Sequence, residues 1–129
     1  MTSYELTFRV KAGAGIRIPP NSSRLLMRWG VDLDNMKKSV SKRYHFVRWK
    51  DGTTITKLPF ERVIETHKAP YYLAHRADLH AALLDAARKA GVEIHTNQKV
   101  DKYDFSIPCA ITVEGKTWTG DLIICADGR

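Results

Sequence analysis

The stretch that decides the fold is HRADLHAALLDAARKAG, residues 75–91. Its apolar residues repeat with the spacing of one helix face: Leu79, Ala82, Leu83, Ala86 and Ala90. Asp78 lies in the first turn and Arg88 and Lys89 lie in the last, where each charge interacts favourably with the helix dipole. Gly91 follows where a left-handed C-terminal cap is common. The stretch therefore predicts a helix followed by a glycine turn.

Arg76 stands at the predicted start of this helix. The unpaired backbone N–H groups and the positive end of the dipole favour an anion at this place. A guanidinium group adds a planar fork of donors that suits phosphate or carboxylate. The same residue is also compatible with an ordinary surface arginine at a loop–helix junction, so the two interpretations stay open at this point.

The composition indicates a globular protein and restricts its partners. A length of 129 residues allows at most one ordinary domain, and 43% hydrophobic with 27% charged residues is typical of soluble proteins. The net charge of +7 favours anionic partners. The basic residues are scattered and no basic stripe has interleaved aromatic residues, so we predict no specific nucleic-acid partner.

The two cysteines, Cys109 and Cys125, form no CxxC spacing and predict reduced thiols in a cytoplasmic protein. No apolar run has membrane-spanning length, and the first residues lack the apolar region of a signal peptide. His75 and His80 are not spaced as a helical metal pair, and no other histidine belongs to a zinc-like cluster, so we predict no metal.

The first third of the chain alternates between extended and helical patterns. The predicted elements are a strand at Tyr4–Val10, a small-residue loop at 11–16, an extended segment at Ile16–Ile18, a helix capped by Asn21 or Ser22, a helical turn at Val31–Lys38 and a flexible stretch at Lys38–Arg43. Gly13-Ala14-Gly15 in the loop lacks the third glycine of a dinucleotide fingerprint.

Two tight turns predict hairpins. Lys50-Asp51-Gly52 lies between β-rich runs and predicts a hairpin over residues 44–58, while Glu114-Gly115 predicts another later in the chain. Residues 60–72 are predicted to be a connection, since Pro70 argues against a long helix. The remaining strands are predicted at 92–95, 99–103, 110–113 and 117–118.

The end of the chain is an apolar run, Asp121–Ala126, which predicts a strand buried on both faces. It leads into Asp127 and Gly128, at the kind of strand end where open α/β sheets bind ligands. An ordinary turn explains the same dipeptide. No nucleophile elbow or P-loop is present, so no catalytic residue is identified. The residues alone predict an α/β domain with an anion-binding helix start.

Three stretches, in this order and spacing, carry a family resemblance: residues 13–26 with Trp29-Gly30, residues 75–79 with the following helix, and residues 121–128. Together they resemble the FAD-binding part of flavin-dependent aromatic hydroxylases, the monooxygenases similar to salicylate hydroxylase that use NAD(P)H as reductant. The resemblance covers nearly the whole chain from about Lys11 onward.

The resemblance implies an α/β fold, a fragment of a Rossmann-like FAD-binding domain over residues 1–129. Its parts are an early flavin loop and helix at 11–30, the hairpin at 44–58, and a helix with strands leading to Asp-Gly at 75–129. It implies an NAD(P)H-dependent monooxygenase that hydroxylates a small aromatic substrate. Six positions match cofactor contacts: Gly15, Arg17, Arg76, Val100 at the adenosine end, Asp127 and Gly128.

The chain also departs from the family pattern. The pyrophosphate-binding GxGxxG loop, the acidic ribose-binding residue and the later Gly-Asp motif at the flavin ring have no match. We therefore expect an incomplete flavoprotein module: a truncated gene product, a misassigned exon or one part of a split enzyme, inactive alone. Two alternatives stay open: a non-catalytic remnant or interaction module that no longer binds FAD, and an anion- or nucleic-acid-binding domain supported by net charge alone.

The same departure from the family pattern affects the stability that we expect for the chain. Without the family's first strand, residues 122–126 lose a neighbour and expose an apolar edge. We therefore expect the isolated chain to be marginally stable, to self-associate, or to pair with a partner chain that supplies the missing parts. The sequence names neither the aromatic substrate nor the choice between NADH and NADPH.

Overall fold

The computed structural model describes residues 2–5 and 14–126, with residues 2–5 described in their backbone alone. The chain divides into two compact units, residues 10–90 and residues 1–9 with 91–129. In chain order the elements are β1 (Thr2–Glu5), β2 (Gly15–Ile18), α1 (Pro20–Arg28), β3 (Lys38–Val40), β4 (Arg43–Val47), β5 (Thr54–Pro59), α2 (Glu61–His67), β6 (Tyr72–His75), α3 (Arg76–Lys89), β7 (Glu93–Thr96), β8 (Val100–Asp104), β9 (Cys109–Thr112) and β10 (Thr117–Thr119).

The unit of residues 10–90 is built on a three-stranded antiparallel sheet with the order β2-β6-β3. One face of this sheet carries the core together with side chains from α1, α3 and the segment between α1 and β3. The core residues are Ile18, Leu26, Val31, Leu33, Met36, Tyr72 and Ala74, with Ile16, Leu79, Ala82 and Ala86 packed against them. Strand periodicity puts alternate residues on the other face, which is exposed.

Helix α1 begins two or three residues earlier than predicted. Pro19 is the N-cap and Pro20 is the first helical residue, so the prediction of Asn21 or Ser22 as the cap is wrong. Proline suits the first helical position because its φ is already helical and an N–H is not needed there. Ser23 is fully buried and its hydroxyl donates a 2.7 Å hydrogen bond to the Pro70 carbonyl oxygen.

The segment between α1 and β3 is not the predicted helical turn. Val31, Leu33 and Met36 insert into the core, while the Asp32 carboxylate accepts a 3.1 Å hydrogen bond from the Asn35 N–H. Such a local side-chain bond competes with helix formation. The stretch from Lys38 to Arg43, predicted to be flexible, instead contains β3 and the first residue of β4.

The first predicted hairpin is confirmed as β4–β5. Gly52 has a φ of 73°, which favours glycine, and the Asp51 carboxylate accepts a 2.9 Å bond from the Thr53 N–H. The predicted connection over 60–72 contains the short helix α2, which ends at Lys68 with a φ of 51°. The sequence pattern missed this helix because it offers only two turns of weak periodicity.

Helix α3 is confirmed at Arg76–Lys89, and Gly91 after it has the expected positive φ of 78°. Its core-facing stripe is narrower than predicted. Leu79, Ala82 and Ala86 pack on the core, whereas Leu83 is 38% exposed and Ala90 is exposed as well. A single sheet face contacts one side of the helix only, so residues at the border of the stripe stay in solvent.

In the other unit, β1 pairs with β7 in parallel and β8, β9 and β10 form an antiparallel sheet. The strands predicted at 92–95, 99–103, 110–113 and 117–118 are present with ends shifted by about one residue. The Glu114-Gly115 turn connects β9 to β10 as expected, with Gly115 at a φ of 80°. Of the strand predicted at Tyr4–Val10, only the first two residues fall in β1, and residues 6–10 lie outside the described residues.

The prediction of a buried strand at Asp121–Ala126 is wrong for the structure as described. Residues 121–126 are not in a strand, and Leu122 and Ile124 are 75% and 76% exposed. A buried strand needs hydrogen-bonded neighbours on its sides, and the described residues pair no strand with this run. The apolar pattern alone therefore does not bury it.

Candidate cofactor-binding site

The start of α3 and the start of β2 meet at one corner of the sheet. Gly15 pairs with His75 across the antiparallel β2–β6 ladder, and the Arg76 N–H donates a 2.9 Å hydrogen bond to the Ala14 carbonyl oxygen. The structure thus brings together two predicted cofactor-binding positions, Gly15 and Arg76, which are far apart in the chain. We call Gly15, Arg17, His75 and Arg76 the β2–α3 corner.

Arg17 belongs to the same exposed face. It lies two residues along β2 from Gly15, about 7 Å away by strand geometry, and pairs with Leu73 of β6. Gly15, Arg17, Leu73 and His75 are all exposed, in contrast to Ile18, Tyr72 and Ala74 on the opposite face. The corner therefore presents an open surface with two guanidinium groups.

The first turn of α3 is not capped by a side chain. His75 occupies the N-cap position in an extended conformation and makes no capping hydrogen bond. Arg76 is the first helical residue and is exposed. The positive end of a 14-residue helix therefore lies beside an arginine, as the anion-site interpretation requires. Asp78 in the same turn partly offsets this positive potential.

Two tyrosines that the sequence did not single out lie near Arg17. The hydroxyl group of Tyr44 is the main cause that raises the pKa of Arg17, and Tyr71 contributes less. The two hydroxyl oxygens lie 2.6 Å apart, so the tyrosines are also bonded to each other. We call Arg17, Tyr44 and Tyr71 the arginine–tyrosine triad.

The two hydroxyl groups of the triad differ in acidity. The hydrogen bond from Tyr71, followed by that from Arg17, lowers the pKa of Tyr44. Burial first, and then the bond to Tyr44, raises the pKa of Tyr71, which is 8% exposed. Either hydroxyl group can be the donor in the hydrogen bond between them.

The ring of Phe60, the residue before α2, packs against both tyrosines of the triad. The Phe60 ring stacks on Tyr71 with centroids 4.8 Å apart, and the Tyr44 ring meets Phe60 edge-on at 4.7 Å. The adjacent pair Tyr71-Tyr72 was an available signal, because neighbouring strand residues point to opposite faces. Its partners could not be found from sequence, since Tyr44 and Arg17 come from other strands.

The other predicted positions lie in the other unit or outside the described residues. Val100 begins β8 in the other unit, is partly buried and pairs with Thr112 of β9. Asp127 and Gly128 lie outside the described residues, as does Gly13. In the part of the chain that the structure describes, no group of three or more histidine, cysteine or acidic side chains is placed to hold a metal ion.

The residues of the β2–α3 corner fit an anionic dinucleotide such as FAD. A Cβ built on Gly15 would meet open space, so the backbone there can be approached closely. Within residues 14–126, no carboxylate forms an ion pair with Arg17 or Arg76. A guanidinium group suits phosphate or carboxylate oxygens, which it can bind through two parallel hydrogen bonds.

Over the described residues, no helix combines the length and the hydropathy needed to cross a membrane.

Comparison with known proteins agrees with this chemistry. No protein-family model matches the chain. The FAD-dependent monooxygenase OpS4 of Beauveria bassiana (strain ARSEF 2860) is 35% identical over 124 residues, which cover 92% of this chain and 29% of that protein. The 3-amino-4-hydroxybenzoate 2-monooxygenase of Streptomyces cremeus is 35% identical over 122 residues, covering 92% of this chain and 31% of that protein.

A solved structure shows the same fold. The tetrameric form of 2-methyl-3-hydroxypyridine-5-carboxylic acid oxygenase superposes with a TM-score of 0.79 at 27% identity, over 97% of this chain and 32% of that one. The chain thus spans about a third of the length of the curated relatives it matches. Its mixed α/β fold matches a fragment of the flavoprotein hydroxylases, and the chain is homologous to part of the FAD-dependent monooxygenases of the aromatic-hydroxylase type.

Proposed function

We propose that this chain is the FAD-binding part of an NAD(P)H-dependent flavin monooxygenase that hydroxylates a small aromatic compound. In this proposal it forms part of a Rossmann-like FAD-binding domain. The observation that carries the proposal is the β2–α3 corner, where the Arg76 N–H donates to the Ala14 carbonyl oxygen and the Gly15 backbone lies beside a helix start that has no side-chain cap. The relatives named above support the cofactor and the reaction class.

Three residues of the corner have a role in this proposal. Arg17 and Arg76 donate hydrogen bonds from their side chains to anionic oxygens of FAD, and the first turn of α3 adds its dipole and the N–H groups that follow Arg76, whose own N–H is bonded to Ala14. Gly15 allows the cofactor to approach the backbone of β2. Bound FAD would supply the redox chemistry, accepting a hydride from NAD(P)H and using O₂ to hydroxylate the aromatic ring.

Three further contacts belong to the proposal by resemblance. Val100 is proposed to contact the adenosine end of FAD from the start of β8. Asp127 and Gly128 are proposed to contact FAD and the reduced nicotinamide. A cytoplasmic location is also proposed, and it is supported by Cys109 and Cys125, which are both free thiols.

Retention of FAD tests the proposal directly, because the chain spans only about a third of its relatives and turnover depends on more than this part. The purified chain is mixed with excess FAD, unbound FAD is removed on a desalting column, and the visible flavin absorption is recorded. We expect flavin to stay with the folded chain. A chain that is folded by circular dichroism and colourless would instead support the alternative, a remnant that no longer binds FAD.

We also propose that the isolated chain self-associates or binds a partner chain through residues 121–126. The exposed side chains of Leu122 and Ile124 support this, because such neighbouring apolar groups favour contact with another surface. Sedimentation velocity over a range of concentrations measures the association. A Leu122→Asn variant is expected to shift the distribution toward monomer, and a concentration-independent monomer for the parent chain would refute self-association.

A further inference from the structure

The hairpin β4–β5 exposes apolar side chains along most of its length. All residues from His45 to Pro59 are exposed. Trp49, beside the turn, is 95% exposed, and the exposed fractions of the other large apolar side chains lie between 47% and 64%. These side chains are Phe46, Val47, Ile55 and Leu58. Neighbouring apolar groups in solvent favour contact with another surface.

The turn at the tip of the hairpin is held by its own hydrogen bonds. The Arg48 N–H donates a 2.8 Å bond to the Thr53 carbonyl oxygen, and the Gly52 N–H donates a 2.9 Å bond to the Arg48 carbonyl oxygen. The Asp51 carboxylate accepts bonds from the N–H and the hydroxyl group of Thr53. Because these polar groups already have partners, the tip can enter a less polar environment at a lower cost in free energy.

The hairpin is also basic. Residues 43–59 contain one acidic residue, Asp51, whose carboxylate is bonded within the turn. The lysine and arginine residues of the same segment are Arg43, Arg48, Lys50 and Lys57. The ion pairs within the described residues involve none of these four side chains. The hairpin therefore attracts an anionic partner.

We propose that the tip of the hairpin β4–β5 binds the surface of an anionic lipid membrane. In this arrangement Trp49 lies at the level of the lipid headgroups, where tryptophan is enriched in membrane-bound proteins. Arg48 and Lys50, on either side of Trp49, interact with the negatively charged lipids. Val47 and Ile55 are the exposed apolar residues next nearest to the turn and extend the contact. The proposal does not depend on FAD binding.

Two other occupants fit this surface less well. A second copy of the chain carries the same basic hairpin and a net charge of +7, so repulsion between like charges opposes contact through this surface. A single-stranded nucleic acid stacks its bases on aromatic rings. Most of the exposed apolar side chains of the hairpin are instead aliphatic: Val47, Ile55 and Leu58. Aliphatic side chains beside a tryptophan suit a lipid surface better.

Vesicle flotation tests the proposal with the whole chain, because floating vesicles separate bound protein from aggregated protein. The anionic vesicles are an equimolar mixture of phosphatidylcholine and phosphatidylserine, and vesicles of phosphatidylcholine alone are the uncharged reference. We expect the chain to float with the anionic vesicles and to stay behind with the uncharged ones. Added salt is expected to reduce the bound fraction, since it screens the attraction between exposed charges.

Two variants test the tip itself. Trp49→Ala is expected to weaken vesicle binding by about ten-fold, because one large apolar side chain is lost from the contact. The double variant Arg48→Gln, Lys50→Gln is expected to weaken binding by about thirty-fold, the combined contribution of two basic residues near an anionic bilayer. Circular dichroism establishes that both variants are folded, as expected for substitutions at exposed positions.

The matched controls lie on and beside α1. Trp29→Ala removes another exposed tryptophan, and the double variant Arg24→Gln, Arg28→Gln removes two charges from exposed positions of that helix. Both control proteins are expected to bind the anionic vesicles as tightly as the parent chain. Equal weakening by the hairpin variants and the control variants would overturn the proposal, because the tip would then have no special role.

The remaining outcomes also decide the matter. Failure of the parent chain to float, or equal flotation with both kinds of vesicle, would overturn the proposal. A chain that does not float but retards a polyuridine oligonucleotide in a native gel would overturn it as well and would assign the hairpin to nucleic acid. Flotation that is lost in both hairpin variants and kept in both controls would support it, whether or not the chain retains FAD.

Discussion

The two faces of the β2-β6-β3 sheet differ in almost every property although they share the same strands. One face presents Ile18 and Tyr72 to a core covered by α1 and α3, and Ile18 is 2% exposed. The other presents Arg17, Leu73 and His75 to solvent, and Leu73 is 42% exposed. Stability thus depends on one face, while the charged groups proposed for FAD lie on the other.

The largest expected effect is a loss of stability caused by a substitution on the buried face. Ile18→Ala leaves a cavity in a packed core and is expected to lower the free energy of unfolding by about 2–5 kcal/mol. Leu73→Ala, its neighbour on the exposed face, is expected to cost less than about 1 kcal/mol. Urea unfolding followed by circular dichroism measures both.

If Ile18→Ala does not fold at all, Ile18→Val provides a milder test, with an expected loss of about 0.5–1.5 kcal/mol. Equal losses of unfolding free energy for Ile18→Ala and Leu73→Ala would show that the two faces of the sheet contribute equally to stability. That result would contradict the comparison of the two faces.

The next largest effect is a loss of FAD affinity caused by a substitution in the β2–α3 corner. Arg76→Ala is expected to weaken FAD binding by roughly ten- to a hundred-fold, since a charge-assisted hydrogen bond contributes about 1.5–3 kcal/mol. The free energy of unfolding should change little, because the Arg76 side chain is exposed. Fluorescence titration with FAD gives the dissociation constant.

Arg88→Ala is the matched control because Arg88 lies in the last turn of the same helix. It removes the same charge from the chain while leaving the start of α3 intact. Equal weakening by the two substitutions would mean that net charge, rather than the helix start, determines the affinity.

A smaller effect tests how α1 is attached to the sheet. Ser23→Ala removes the donor to the Pro70 carbonyl oxygen in a fully buried site, and the unpaired oxygen is expected to cost about 1–2 kcal/mol. Ser22→Ala, at a partly exposed position in the same helix turn, is the control and should change stability by less than about 0.5 kcal/mol. Thermal unfolding compares the two, and an unchanged midpoint for Ser23→Ala would show that water replaces the bond.

The smallest effect is a dependence of stability on pH. Hydrogen bonds from Asn35 lower the pKa of Asp32 in the folded state. A lowered folded-state pKa means that this stabilisation is present above the unfolded pKa and is lost as the pH falls through the folded one. Asp32→Asn should therefore lose less stability on acidification than the parent chain. Asp101→Asn, at an exposed position on β8, is the control, and identical acid profiles for all three proteins would contradict the assignment.

Much of the secondary structure could be predicted because its signals are local. Helix α3 follows from an apolar stripe with charges suited to both ends, and the two hairpin turns follow from Asp51-Gly52 and Glu114-Gly115. That Gly15 and Arg76 lie close together was decided by the tertiary structure, since periodicity says nothing about which strands lie side by side. The family resemblance nevertheless named both residues.

The predictions that were wrong depended on non-local contacts. The segment at residues 31–38 resembles a helical turn in sequence, but burial of Val31, Leu33 and Met36 against the sheet determines its path. The run at 121–126 has the composition of a buried strand, but burial requires neighbouring strands, and composition does not supply them. Local preference is decisive only where tertiary contacts do not oppose it.

The sequence by itself determined α3, the two hairpin turns and the resemblance to flavin-dependent hydroxylases, because each depends on residues close together in the chain or on an ordered set of motifs. Only the tertiary structure decided which face of the sheet is open and that the hydroxyl groups of Tyr44 and Tyr71, from distant parts of the chain, are hydrogen-bonded to each other. The physical reason is that hydrogen bonds between side chains of different strands depend on strand register. That register is set by burial of the opposite face.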